Sequence, residues 1–533
     1  MAAASTSFHD TWRPKANPWV IAITVTLATF MEALDTSIVN VAMPHISGSL
    51  SASVDEATWV LTSYLVANAV VLPISGWIAN RIGRKRFYMS CVALFTLTSL
   101  LCGLAPTLPM LVFFRCLQGA AGGGLQPSEQ AILADTFPPA KRSMAFAVYG
   151  MAVVLAPALG PTLGGWIVDS HSWRWLFFLN IPVGILSLIL TNRLVEDPPY
   201  LAERRKKREG IDYWGLGLLV LFIGTLQMVL DKGQEDDWFS SNFISTAAIL
   251  CVLAFALFLY RELTVNHPIV DLRLFKRRNI AMTQFVMFMV GASLYSTTVL
   301  IPQYLQEVMG YSARQAGMAI SAGGLVLMVL FPIAGALAPK FDPRLLVALG
   351  FCITTYGLFR MTSINQQINF GLAVSWRACI ALGLPFLFIP INTLCYAGVP
   401  QEKNNEVSGL TALSRNVGGS VGISFVTTLL ARLSQRHQAM LIRHTVEGNS
   451  PFDRMRNALS GAWRQRGGGS GSSTADSAMH AGAQIYGMLQ SQARTLAYVD
   501  VIWILVALTG LLIPLPFLMN KPKKGARSAE PVH

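Results

Sequence analysis

The chain has 533 residues, 53% of them hydrophobic and only 13% charged, with a net charge of +13. Soluble domains carry about 25% charged residues. The mean hydropathy of +0.48 and repeated apolar runs of about 20 residues exclude a soluble multidomain protein and indicate an integral membrane protein. The basic residues gather in short segments beside those runs, which reads as topogenic charge and not as a nucleic-acid surface.

The first 18 residues are polar. The run from Trp19 to Pro44 is too long for a signal-peptide core and lacks a cleavage site, so it reads as an uncleaved first span. Apolar runs predict fourteen spans at 19–40, 58–79, 87–105, 108–131, 144–166, 174–193, 213–230, 243–261, 279–301, 315–337, 344–360, 372–398, 408–430 and 500–518. The segments NRIGRKR, LAERRKKREG and DLRLFKRRN follow spans two, six and eight, and Lys521, Lys523, Lys524 and Arg527 follow the last. The alternating loops are poor in Lys and Arg, and DKGQEDDW is acidic. Basic loops stay inside, so both termini are expected in the cytoplasm. The segment 431–499 carries arginines yet falls outside, where its length escapes that rule. Its RGGGSGSST reads as a flexible linker, and Ala475 to Tyr498 as a solvated helical excursion.

Four stretches carry chemistry. Span one holds Glu32 and Asp35, three residues apart and so on one face of the helix. A carboxylate in the centre of a span costs about 2.5–3.5 kcal/mol and is a functional hypothesis by default. The loop GWIANRIGRKR contains Gly76, Gly83 and Arg84. Its glycines allow a tight turn and close approach, and its charges suit the anionic face of the membrane lipids. Span four contains LVFFRCLQGAAGGG, whose Arg115 cannot shed its charge and needs an anionic or carbonyl partner. Pairing with Asp35 is geometrically allowed; snorkelling to the outer surface is the other reading. Span five, VVLAPALGPTLGGW, has Pro157 and Pro161 four apart and Gly160, Gly164 and Gly165. The glycine spacing suits close helix packing, and the prolines suit a kink. Gly418 and Gly422 repeat the spacing in span thirteen after Arg415.

The seven cysteines lie in or beside apolar runs without metal or redox spacing. No H-E-x-x-H, G-x-S-x-G or P-loop pattern occurs, which leaves a membrane-embedded enzyme as a remote reading. Phe285, Met289 and Tyr295 in span nine, with Gln118 in span four, are candidate cavity residues, since Met and aromatic side chains suit promiscuous pockets.

Taken together, LDTSIVNVAMP, the glycine-basic loop, the span-four arginine and the GP-x-x-GG run resemble the major facilitator superfamily. With IDYWG, LDKGQEDDWFSS and HPIVDLRLF, the chain is similar to the fourteen-span drug:proton antiporters of the EmrB/QacA type. The resemblance implies an all-α fold of two six-helix bundles, over 1–200 and 271–533, with two extra spans inserted over 201–270. It implies export of small hydrophobic or amphiphilic compounds through the bacterial inner membrane. No cofactor is implied beyond the proton gradient, and Asp35 and Arg115 would take part in proton coupling. A periplasmic adaptor and an outer-membrane channel are the implied partners, with 431–499 one candidate docking surface. A specific metabolite, fatty acid or siderophore is the alternative cargo. The chain departs from the resemblance at Asn80, where relatives carry an aspartate, and at Glu32, where many are uncharged.

Overall fold

The computed structural model describes residues 14–138, 141–198, 212–265, 268–397, 399–400, 403–446, 450–466 and 474–519. The basic segment 201–210, the glycine linker 467–473 and the lysines after Met519 lie outside the described residues. Among the described residues, fourteen helices are long and apolar enough to cross a membrane. They are α1 Pro18–Ser49, α2 Val54–Ile82, α3 Arg84–Leu104, α4 Leu108–Thr136, α5 Arg142–Ser170, α6 Trp175–Leu194 and α7 Tyr213–Lys232. They continue with α8 Asn242–Thr264, α9 Arg278–Glu307, α10 Ala313–Leu337, α11 Pro343–Met361, α12 Phe370–Cys395, α13 Asn404–Ile442 and α14 Thr474–Leu511.

Local sequence sets the helix ends. Ser53 and Glu56 form a capping box at the start of α2, and Ser312 and Gln315 another at α10. Asn17 caps α1 ahead of a proline in its first turn. Gly83 takes φ 102° between α2 and α3, a conformation that costs glycine little and other residues much. Helix α4 is interrupted at Gly123 and Gly124, so its second segment, Leu125–Thr136, starts afresh.

The first six and last six spans repeat one packing pattern. Helix α1 lies on α5, and α9 lies on α13; α2 lies on α4, and α10 on α12. The two halves then meet along two seams, α5 with α10 and α2 with α13. Small residues let the α5–α10 seam close along its length: a Cβ on Gly317 would lie 2.9 Å from Pro161, one on Gly324 3.0 Å from Ala158, and one on Gly335 2.9 Å from Ala147. Helices α7 and α8 pack as a pair, with α7 against both α2 and α13. The end of the bundle that carries the Gly83 turn is called the inner end here.

Several helices outrun their predicted spans, α1 to Ser49 and α9 to Glu307 among them. Helix α4 continues to Thr136, α13 to Ile442, and α14 begins at Thr474. At 1.5 Å per residue α13 is about 58 Å long, roughly twice the hydrocarbon thickness. Apolar runs mark only the part of a helix that meets lipid, and the polar continuation keeps its helical propensity. The outer parts of α13 and α14 are joined by His437 and Asp500 at 2.7 Å and by Gln438 and Tyr486 at 2.9 Å. Between them lies an amphipathic helix, Ser450–Arg466.

The α2–α13 seam gives a direct test of close packing. A Cβ on Gly76 would sit 2.6 Å from the Asn405 carbonyl oxygen, whereas one on Gly165 meets nothing within 4 Å. Gly76→Ala is expected to destabilise the protein by about 1–3 kcal/mol through overpacking. Thermal unfolding in detergent should show a lowered midpoint for Gly76→Ala and none for Gly165→Ala.

Candidate functional site

Asp35 and Arg115 meet inside the first half. Arg115 Nη1 lies 2.5 Å from Asp35 Oδ2, with neither side chain exposed to solvent. Gln118 Nε2 donates to Asp35 Oδ1 at 3.2 Å and Asn180 Nδ2 at 2.7 Å, so the carboxylate has donors from α4 and α6. Arg115 Nε donates to the Val60 carbonyl at 3.1 Å, and Nη1 also donates to Gln118 Oε1 at 2.9 Å. The guanidinium lies 4.2 Å from the centre of the Tyr64 ring, within cation–π range. A charge that deep is tolerated only with such partners.

Glu32 serves a different space. Three residues along a helix turn the side chain by about 60° the other way, and that offset takes Glu32 out of the α4–α6 cluster. Glu32 lines a cavity of about 140 Å³ in the middle of the bundle, together with Thr36, Asn68, Gln126, Tyr295 and Asn416. Tyr64 Oη, Asn68 Nδ2 and Gln126 Nε2 donate to its carboxylate at 3.1, 3.2 and 2.6 Å. Gln126 Oε1 in turn accepts from Arg415 Nη2 of α13, whose Nη1 donates to Tyr149 Oη at 2.8 Å. The Glu32 shell therefore ties the halves together. Tyr64 stands between the two acids, its ring under Arg115 and its hydroxyl on Glu32.

Of the four cavity candidates, Tyr295 lines the cavity. Phe285 does not: it is 43% exposed and points away. Ten helical residues set it about 80° from Tyr295 around α9. Met289 is half-buried against the apolar core and is not among the lining residues. Gln118 is committed to Asp35 and Arg115. Four polar groups in apolar runs escape the sequence reading, although the rule that singles out Asp35 reaches one of them, Glu129. Asn180 and Gln126 are described above, and Gln227 of α7 lines the cavity. The fourth, Glu129, is fully buried; it accepts from Thr26 Oγ1 at 2.6 Å, and its Oε2 has no partner.

The motif residues divide by role. Gly160 faces Ser37, and Gly164 faces Ile38, so the glycine run seats α5 on α1. Pro161 has no N–H for the Pro157 carbonyl, and Ser37 Oγ donates to that carbonyl instead at 3.1 Å. Arg84 is buried at the inner end, 2.5 Å from Asp135 Oδ2, and its Nε donates to Asn405 of α13 at 2.7 Å. Asn405 also donates to Asn80 at 2.6 Å, and Asn404 to Asp135 at 2.7 Å. This polar lattice between the halves thus includes a neutral Asn80, its negative charge coming from Asp135. Stacked Phe146 and Tyr396, with Tyr149 against Phe388, seal the same end. The cavity is closed inward and is smaller than the 300–1,000 Å³ usual for a drug-sized ligand.

Removing one member of a buried pair leaves the other uncompensated. Asp35→Ala is expected to lower stability by about 3–5 kcal/mol. Arg115→Lys should also lower it, because an ammonium cannot reproduce the Val60, Gln118 and Tyr64 contacts together. Both effects are readable as midpoint shifts in detergent.

The sequence model of the Major Facilitator Superfamily matches residues 25–423. The chain is 38% identical over 436 residues to the "Multidrug export protein EmrB" of Escherichia coli K12, covering 81% of this chain and 83% of that one. It is 38% identical over 426 residues to the "Fatty acid resistance protein FarB" of Neisseria gonorrhoeae, covering 80% and 83%. Among solved structures, the proton:xylose symporter XylE shares the fold at a TM-score of 0.57 and 14% identity, over 91% of this chain and 99% of that one. The chain is a multi-pass membrane protein that belongs to the major facilitator superfamily, in its EmrB-like branch.

Proposed function

We propose that the chain exports hydrophobic or amphiphilic compounds across the bacterial inner membrane by alternating access, driven by protons moving the other way. The observation that carries this reading is Glu32. It is an acid on the cavity wall whose hydrogen-bond shell reaches Arg415 of the other half through Gln126. In this reading both termini are cytoplasmic, the inner end is the cytoplasmic end, and the cavity has closed behind its cargo. A proton arriving from outside neutralises Glu32, removes an acceptor from the Tyr64, Asn68 and Gln126 donors, and loosens the tie between the halves. Cargo leaves, and the inner end reopens. Asp35 exchanges a proton only when α4 moves its Arg115 away, so the pair acts as a conformational check beside the cavity acid. Each proton supplies about 2.3 kcal/mol per 100 mV of membrane potential.

The relatives named for multidrug export and for fatty acid resistance support a broad amphiphilic cargo. A fatty-acid exporter is the second reading, favoured by the relative named for fatty acid resistance. The protruding ends of α13 and α14, with the amphipathic helix between them, support docking of a periplasmic adaptor that leads to an outer-membrane channel.

In proteoliposomes under an imposed pH gradient, wild type should export members of a compound panel. Glu32→Gln and Asp35→Asn should insert normally and lose at least about tenfold of pH-driven efflux, one decade being about 1.4 kcal/mol. Efflux by Glu32→Gln at the wild-type rate would contradict its role. An adaptor that co-purifies with the full chain should be lost on removing residues 450–466; retention would place docking elsewhere.

A further inference from the structure

The two seams between the halves are equivalent under the repeat, yet they are closed differently. Helices α5 and α10 touch directly from end to end, and Ser321 of α10 donates to the Ala158 carbonyl at 2.6 Å and pairs with Thr162 at 2.8 Å. Helices α2 and α13 touch on the inner side, through Gly76 with Asn405, through Gly409, whose notional Cβ would lie 2.9 Å from the Leu72 carbonyl oxygen, and through Asn416 with Asn68 at 3.4 Å. Beyond that depth the cavity is walled by a third helix. Gln227 of α7 lines the cavity, and its carboxamide exchanges hydrogen bonds with Ser420 of α13 at 2.8 and 3.0 Å.

The attachment of α7 is lopsided. On the α2 side, Asp231 accepts from Thr62, Lys232 donates to Thr58, and the Lys232 ammonium lies 5.5 Å from the Trp59 ring centre. Gly224 lets α7 approach Val66 and Val70 of α2, at 3.8 and 3.9 Å from its notional Cβ. On the α13 side, the Gln227–Ser420 exchange is the polar contact among the described residues. A charged, threefold attachment on one side and one neutral exchange on the other mean that α7 stays with the first half when the halves part.

We infer that α7 is a side door of the cavity: it travels with α2, the Gln227–Ser420 contact breaks in every transport cycle, and the freed Gln227 carboxamide contacts the cargo. The cargo class is an amphiphile with a neutral hydrogen-bonding group, a hydroxyl, phenol or amide, that takes the place of the Ser420 hydroxyl. Its apolar part passes through the seam towards lipid. The inserted pair is then a working wall of the binding site. This inference rests on the transport reading above.

The test uses the full chain with its seven native cysteines replaced, carrying cysteine pairs at 227/420 or at 224/66. Spin labels on the 227/420 pair should give two distances whose proportions change when an exported amphiphile from the panel is added. Labels on the 224/66 pair should give one fixed distance. In proteoliposomes, bridging 227/420 with a reducible dithiol cross-linker should stop whatever efflux the reduced 227/420 variant retains, and reduction should restore that level, while bridging 224/66 should leave efflux unchanged. A single invariant 227/420 distance, or full efflux with that pair bridged, would overturn the side door. Absent efflux in every variant, with the 227/420 distances still shifting on ligand addition, would support the door and count against the transport reading.

Discussion

An ion pair that sees neither water nor lipid is the constraint on which the first half is built. Asp35 and Arg115 are charges that the bilayer penalises singly. They persist because α2, α4 and α6 bring donors and acceptors to the pair: Gln118, Asn180 and the Val60 carbonyl, with the Tyr64 ring beneath. Holding that cluster fixes the rotation of α1. With Asp35 turned into the bundle, Glu32 turns into the cavity. Arg377 of α12 is buried in the second half, and its hydrogen-bonding neighbours are the Thr297 and Thr298 hydroxyls at 3.4 and 3.3 Å. Among the described residues no acid pairs with it, so the proton chemistry proposed here is one-sided.

The inner end shows how the halves are held together without a rigid joint. Arg84, Asp135, Asn404, Asn405 and Asn80 form one polar lattice across the α2–α13 seam. Charge-assisted hydrogen bonds of this kind are strong in a dry site, and water can take their place. In the alternating access proposed above, the same groups would serve a closed and an open seam.

The number of spans was legible because twenty apolar residues have few other uses. The motifs were legible because charge and glycine in an apolar run are costly or permissive for known reasons. The ends of α4, α13 and α14 were not, since a helix leaving the membrane loses the apolar signal and keeps its hydrogen bonds. The direction of a side chain was least legible. Glu32 and Asp35 were read as one face, yet a 60° offset puts them in separate environments, and Phe285 shows the same limit on α9. Gln227 was missed because a lone glutamine in an inserted helix carries no charge to draw attention; only the neighbouring Ser420 gives it a role. Glu129 was within reach of the rule already applied to span one.

The central claim is that Glu32 is the group through which cargo and proton compete. The most direct measurement is proton exchange on binding, followed with a pH-sensitive dye in weakly buffered detergent solution as an exported cationic amphiphile is added to purified protein. The account predicts proton release from wild type and none from Glu32→Gln, with both proteins still binding. Equal release from the two proteins would contradict it.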